Sequence, residues 1–171
     1  TCLARWMTLP MLTGCLVNER QDVRIQFTPG GAEIWVKESG WKSSEGETDK
    51  IKKDFDELIR KYTTSDLENE VSQHAGVYVL DKKIYLKGDK IHTEFHGLAV
   101  QGSLTMSTSF TKRNEEIVHV LGAPENAKVE SNGKIFRTDK NIVLTWPEEA
   151  KTLTWSYIDE DAVKKDNNLL K

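Results

Sequence analysis

The chain has 171 residues, 37% of them hydrophobic and 30% charged, with a formal net charge of −3. That length fits one domain, and the spread of five Trp, four Tyr and five Phe excludes disorder of the whole chain. Lys and Arg are scattered among acids, which excludes the basic stripe of a nucleic-acid binder.

The first residues read Thr1-Cys2-Leu3-Ala4-Arg5, followed by the apolar stretch Trp6-Met7-Thr8-Leu9-Pro10-Met11-Leu12 and the small residues Thr13 and Gly14 before Cys15. A positive charge, a short apolar core and a small-residue ending are the layout of a secretory signal peptide. The apolar run is too short for a transmembrane helix, which needs about 20 residues. Cys2 and Cys15 are the two cysteines, so Cys15 has no thiol partner in the chain that follows. Leu12-Thr13-Gly14-Cys15 resembles the lipobox of bacterial lipoproteins. The resemblance implies cleavage between Gly14 and Cys15 and a covalent diacylglycerol and acyl lipid on Cys15. Two or more acyl chains anchor a protein stably to a membrane. It also implies, through Leu16 after the cysteine, an outer-membrane address facing the periplasm in a Gram-negative cell.

Residues 15–22 read as a lipidated tether. Val23-Arg24-Ile25-Gln26-Phe27 and Ala32-Glu33-Ile34-Trp35-Val36 alternate apolar and polar on either side of Thr28-Pro29-Gly30-Gly31, which predicts a hairpin. Gly40 to Gly46 reads as a loop. Ile51, Phe55, Leu58, Ile59 and Tyr62 make one apolar stripe at helical spacing. A second helix starts at Ser65, with Glu68 placed for a capping box, and Gly76 is suited to end it.

Beyond it the chain is strand-rich. Val77–Lys87 and Lys90–His96 flank Gly88-Asp89, a two-residue hairpin turn. Leu104, Met106, Thr108 and Phe110 alternate with polar residues. Lys112-Arg113-Asn114 turns the chain into Glu116–Leu121, β-branched enough to favour a strand. Asn132-Gly133 predicts a further hairpin, and Ile142–Trp146 and Leu153–Ile158 close a domain spanning 23–158. Residues 159–171 read as a charged tail. The order (hairpin, two helices, run of strands) predicts an α+β fold: a mostly antiparallel sheet with the helices packed on one face. The stretch from Pro124 through Asn132-Gly133 to Val143-Leu144-Thr145-Trp146 resembles LppM-like lipoprotein domains, a likeness carried by hairpin chemistry and one core Trp. It implies a fold, with functions leaning towards binding at the envelope.

The sharpest chemical pattern is His92-Thr93-Glu94-Phe95-His96, which on a strand puts His92, Glu94 and His96 on one face. Two imidazoles and a carboxylate are Zn²⁺ ligand types. Pairing outwards from Gly88-Asp89 sets His92 opposite Tyr85, Glu94 opposite Lys83 and His96 opposite Asp81. Those pairs suit cross-strand support on an exposed face, and a lysine beside the central ligand repels a cation. His119 reads as a core or edge histidine. No Gly-x-Ser-x-Gly elbow occurs, and Gly30-Gly31 falls in a hairpin turn, away from any phosphate loop. Trp35 is left outward by the inward Ile34 and Val36, and Trp41 follows in the Gly/Ser loop. Exposed Trp is enriched where partners dock. The expectation is a non-catalytic envelope lipoprotein that binds a protein or lipid partner through Trp35 and Trp41. It has no nucleic-acid partner and no cofactor beyond the lipid on Cys15. The rival is a periplasmic metal binder or hydrolase using His92, Glu94 and His96.

Overall fold

The computed structural model describes residues 16–100, 110–121 and 127–164. Gly14, Cys15 and the segment containing Leu104 and Met106 lie outside the described residues, as does Pro124. In chain order the elements are β1 Leu16–Val17, β2 Arg20–Thr28, β3 Gly31–Ser39, β4 Lys42–Ser43, α1 Thr48–Thr63 and α2 Asp66–Ala75. They continue with β5 Val77–Lys87, β6 Lys90–Val100, β7 Phe110–Arg113, β8 Glu116–Leu121, β9 Lys128–Ser131, β10 Lys134–Arg137, β11 Ile142–Pro147, β12 Thr152–Ile158 and α3 Glu160–Lys164.

The structure is mostly antiparallel sheet with short helices. A six-stranded sheet runs in the order β5-β6-β3-β2-β12-β9 and a four-stranded sheet in the order β10-β11-β8-β7. Period-two alternation decides which side of each strand is buried. Val23 and Ile25 of β2, Ala32, Ile34 and Val36 of β3, Phe95 of β6 and Leu153, Trp155 and Tyr157 of β12 face one core. From the smaller sheet, Ile117, Leu121, Ile142, Leu144 and Trp146 join the same core, as do Leu67 and Val71 of α2. Phe55 and Leu58 of α1, both fully buried, pack in a second cluster with Trp41 and Ile91. Each such side chain contributes about 1.5–3 kcal/mol by leaving water.

Several local signals are overridden by tertiary partners. Ser65 makes no side-chain cap bond at the start of α2; Glu68, its expected partner, pairs instead with Lys82 of β5. Gly76 does end α2, in the left-handed conformation at φ 60°, where it avoids the Cβ penalty. The 15–22 tether is part of the fold from Leu16 on. Leu16 and Val17 pair with Ser43 and Lys42 of the supposed Gly40–Gly46 loop, and Gln21 is 1% exposed. The charged tail begins as α3, where Asp159 Oδ1 accepts from the backbone N–H of Asp161 and Ala162 at 3.0 and 3.1 Å.

Asn132-Gly133 does not close a hairpin. β9 pairs with β12 and β10 with β11, so the chain changes sheets at this corner. Asn132 Oδ1 accepts from Trp146 Nε1 at 2.7 Å and from the Thr154 N–H at 2.8 Å, while its Nδ2 donates to the Thr152 carbonyl at 2.9 Å. A Cβ on Gly133 would stand 2.4 Å from the Thr145 carbonyl and 2.5 Å from Trp146 Nε1. The turn between β7 and β8 falls one residue later than Lys112-Arg113-Asn114 implies. Asn114 and Glu115 both take positive φ, 51° and 61°, the backbone of a type I′ hairpin turn.

Candidate functional site

The Gly88-Asp89 turn fixes the register of β5 against β6. Lys87 pairs with Lys90, Tyr85 with His92, Lys83 with Glu94 and Asp81 with His96, the pairing that the sequence implies. A bulge between Val79 and Asp81 follows. From this hairpin two rows of side chains cross the face of the large sheet that points away from the core. One row is Asp81, His96, Trp35, Arg24 and Thr154; its neighbour is Lys83, Glu94, Lys37, Asp22, Ser156 and Glu130. Between them they line an open groove of about 800 Å³, within the size range of ligand pockets.

The second row is a ladder of alternating charge. Lys37 Nζ stands 3.1 Å from Glu94 Oε1, and the Tyr85 hydroxyl donates to the same carboxylate at 2.8 Å. Those two bonds hold the Glu94 carboxyl below the ordinary glutamate range. Burial works against ionisation of Asp22, yet Arg20 and the Ser156 hydroxyl outweigh it and its pKa is lowered. Arg20 donates to Asp22 at 2.7 Å and Ser156 Oγ at 2.6 Å. Lys83 pairs with Asp81 at 3.0 Å.

The first row is an aromatic stack. The His96 and Trp35 rings lie 4.7 Å apart with an 11° interplanar angle. Arg24 Cζ sits 4.8 Å from the Trp35 ring centre. β6 and β2 flank β3 on opposite sides, so imidazole and guanidinium take opposite faces of the indole and leave its edge towards the groove. His96 Nε2 is 2.8 Å from Glu33 Oε2.

His92, Glu94 and His96 share a face as the sequence indicates, but each is engaged separately. His92 stacks on Tyr85 with centroids 5.5 Å apart. Burial first, then Lys87, Lys37 and Lys90, lower its pKa, which keeps the imidazole neutral. Glu94 serves Lys37 and Tyr85, and His96 serves Glu33 and Trp35. Among the described residues, no group of three or more His, Cys, Asp or Glu is placed to hold a metal ion. His119 is 3% exposed and stacks on Phe110 at 4.1 Å, a core position.

Trp35 is half-buried at the groove centre. Trp41 is not a surface group: it is 5% exposed, packs with Phe55, Leu58 and Ile91, and donates from Nε1 to Thr93 Oγ1 at 2.9 Å. Its Gly/Ser surroundings conceal this, because the covering residues come from α1 and β6, outside the loop. No motif in the sequence marks the wall formed by Thr154, Ser156 and Glu130. The alternation of Thr154 and Ser156 with the core residues Leu153, Trp155 and Tyr157 was the available signal, but the pairing of β12 with β2 joins residues about 130 apart.

No protein-family model matches the chain; no curated protein and no solved structure matches it either.

Proposed function

We propose that this chain is a bacterial envelope lipoprotein and a non-catalytic binding module for a protein or lipid partner. The groove on the outer face of the large sheet, with Trp35 among its lining residues, carries the binding half of this reading. Trp at the centre of a surface ringed by charged pairs is the composition of a binding hot spot. The lipobox likeness of Leu12-Thr13-Gly14-Cys15 supports the address: cleavage after Gly14, lipid on Cys15 and, with Leu16 following, the outer membrane of a Gram-negative cell. Placement of Leu67 and Val71 of α2 in the core of the large sheet supports reading the fold as α+β, with its helices packed on one face.

Two experiments test the two halves. Intact mass and detergent partitioning of the protein made in a bacterial host, against Cys15→Ala, test the anchor. Loss of residues 1–14 with a gain of lipid mass in the wild type alone supports it, and a soluble chain with unmodified Cys15 refutes it. For the face, a photo-crosslinking amino acid is placed at Trp35 and, as a control, at Lys53 on the exposed side of α1. A discrete adduct from position 35 and none from 53 is the expected result. Equal or absent labelling at both sites rejects the groove as the binding surface.

A further inference from the structure

We infer that the groove receives a carboxylate presented by a polypeptide partner, and that Arg24 is the group that meets it; the inference rests on this face being the binding surface. Among the described cations of the face, Arg20 is committed to Asp22, Lys37 to Glu94 and Lys83 to Asp81. Among the described residues, Arg24 has no carboxylate within ion-pair range. Among those residues its side chain makes one hydrogen bond, from Nη2 to Gln26 Oε1 at 2.6 Å, which leaves most of its five donors available.

The guanidinium is also held in place. It rests on one face of Trp35, whose other face is taken by His96, and His96 is tied to Glu33. A cation stacked on an indole gains electrostatically, and an arginine already fixed in one pose loses less freedom when it binds. Thr154, opposite Arg24 in the register, brings a hydroxyl to the same row.

The charge of the surroundings selects the anion. Asp22, Asp81 and Glu94 are ion-paired with Arg20, Lys83 and Lys37, and Glu33 is hydrogen-bonded to His96. Glu130, however, faces the groove with no ion pair among the described residues and only the longer-range attraction of Arg20. A phosphate, carrying close to two negative charges, meets more repulsion there than a singly charged carboxylate. The planar arginine fork grips a carboxylate and a phosphate alike, so the smaller charge of the carboxylate is what selects it. A broad face centred on Trp and Arg with a rim of satisfied charges suits a protein partner more than an enclosed small molecule.

The test follows the Arg24 and Trp35 side-chain N–H signals of the full domain by nuclear magnetic resonance. N-acetylglycine, a carboxylate beside a peptide group, is the probe, and its neutral amide the control. N-acetylglycine should shift both signals saturably, and the amide should not. Arg24→Gln should weaken the probe about tenfold or more, with Arg24→Lys between the two because it keeps the charge and loses the fork. An unchanged amide fingerprint shows that each variant is folded, and Arg24→Lys decides the matter if Arg24→Gln does not fold. Equal response to the amide, equal affinity in the variants or no response at all overturns the inference. So does stronger binding of inorganic phosphate or of phosphatidylglycerol vesicles. None of those results touches the cross-linking at Trp35, which separates failure of the carboxylate site from failure of the groove.

Discussion

The two faces of the six-stranded sheet come from the same strands and obey opposite rules. On the inner face Ile25, Phe95, Leu153 and Trp155 are buried under helices and a second sheet. On the outer face Arg24, Lys37 and Glu94 carry charge and remain open to solvent. Area removed from water governs the first face, at about 25 cal/mol per Å². Cross-strand pairs govern the second, at about 0.2–1 kcal/mol each. Stability should therefore reside on one face and recognition on the other, and substitutions ranked by effect can break that division.

The largest effect belongs to the inner face. Trp155 is 3% exposed and lies 5.8 Å from Trp146 and 4.9 Å from His119, ring centre to ring centre. Trp155→Ala should cost about 3–5 kcal/mol, read as a drop in the urea midpoint with an unchanged slope. A cost below about 1 kcal/mol would mean that the two sheets do not share a core.

Next comes the buried ion cluster at the sheet's end. Glu19 Oε1 stands 2.7 Å from Lys42 Nζ, with side-chain exposures of 12% and 7%, and its Oε2 accepts from Lys90 at 2.6 Å. Lys42 also donates to the Ala162 carbonyl at 3.0 Å, so the cluster ties the first described residues to α3. Removing one partner of a buried pair strands the other, and Glu19→Gln should cost about 3 kcal/mol at neutral pH. Burial alone would raise the Glu19 pKa, but Lys42 and Lys90 outweigh it and the net shift is downward. A carboxyl with a lowered folded-state pKa adds stability that is fully present above the ordinary glutamate value, about 4.3. That stability is lost as pH falls from there through the folded-state value. Glu38 runs the other way. Burial raises its pKa against the hydrogen bonds of Gln21 and Thr93, so protonation on acidification favours the folded state. Glu19→Gln should flatten the acid limb of the stability curve, and Glu38→Gln should steepen it. Parallel curves for the two variants would contradict the assignment.

The sheet corner should give a smaller loss. Asn132→Ala leaves the Trp146 indole N–H without its 2.7 Å acceptor, worth about 1–3 kcal/mol where the group is buried. Thermal unfolding that equals the wild type's would mean that Asn132 is a simple turn residue. This corner marks the limit of what the sequence discloses. Gly88-Asp89 set the β5–β6 register correctly because both strands continue straight from the turn. Asn132-Gly133 carries an equally strong local signal, yet Trp146 and Thr154 claim Asn132 and the strands part to different sheets. Trp41 fails likewise: Gly40 and Ser43 suggest a loop, but α1 together with Ile91 and Thr93 of β6 buries the indole. In the candidate site, Trp35 and the His92/Glu94/His96 face were legible from alternation alone. Arg24's place on Trp35 follows from the β2–β3 hairpin register, whereas the Thr154 wall required the pairing of β12 with β2, which no local pattern encodes.

The smallest effects belong to the outer face, where a small number is the informative result. Trp35→Ala removes an aromatic stack but no core contact, and should cost about 1 kcal/mol or less. Lys37 and Glu94 are 51% and 37% exposed in their side chains, so a double-mutant cycle with Lys37→Ala and Glu94→Ala should give a coupling of about 0.2–1 kcal/mol. That coupling should shrink as salt rises, since exposed charges are screened over about 10 Å at 0.1 M. A coupling well above 1 kcal/mol that resisted salt would mean that the ladder is buried under something else and that the face is structural. A small, salt-sensitive coupling leaves the face free to exchange its partners for those of another molecule, with the stack of Arg24 on Trp35 beside it as the place where a partner's anion would be met.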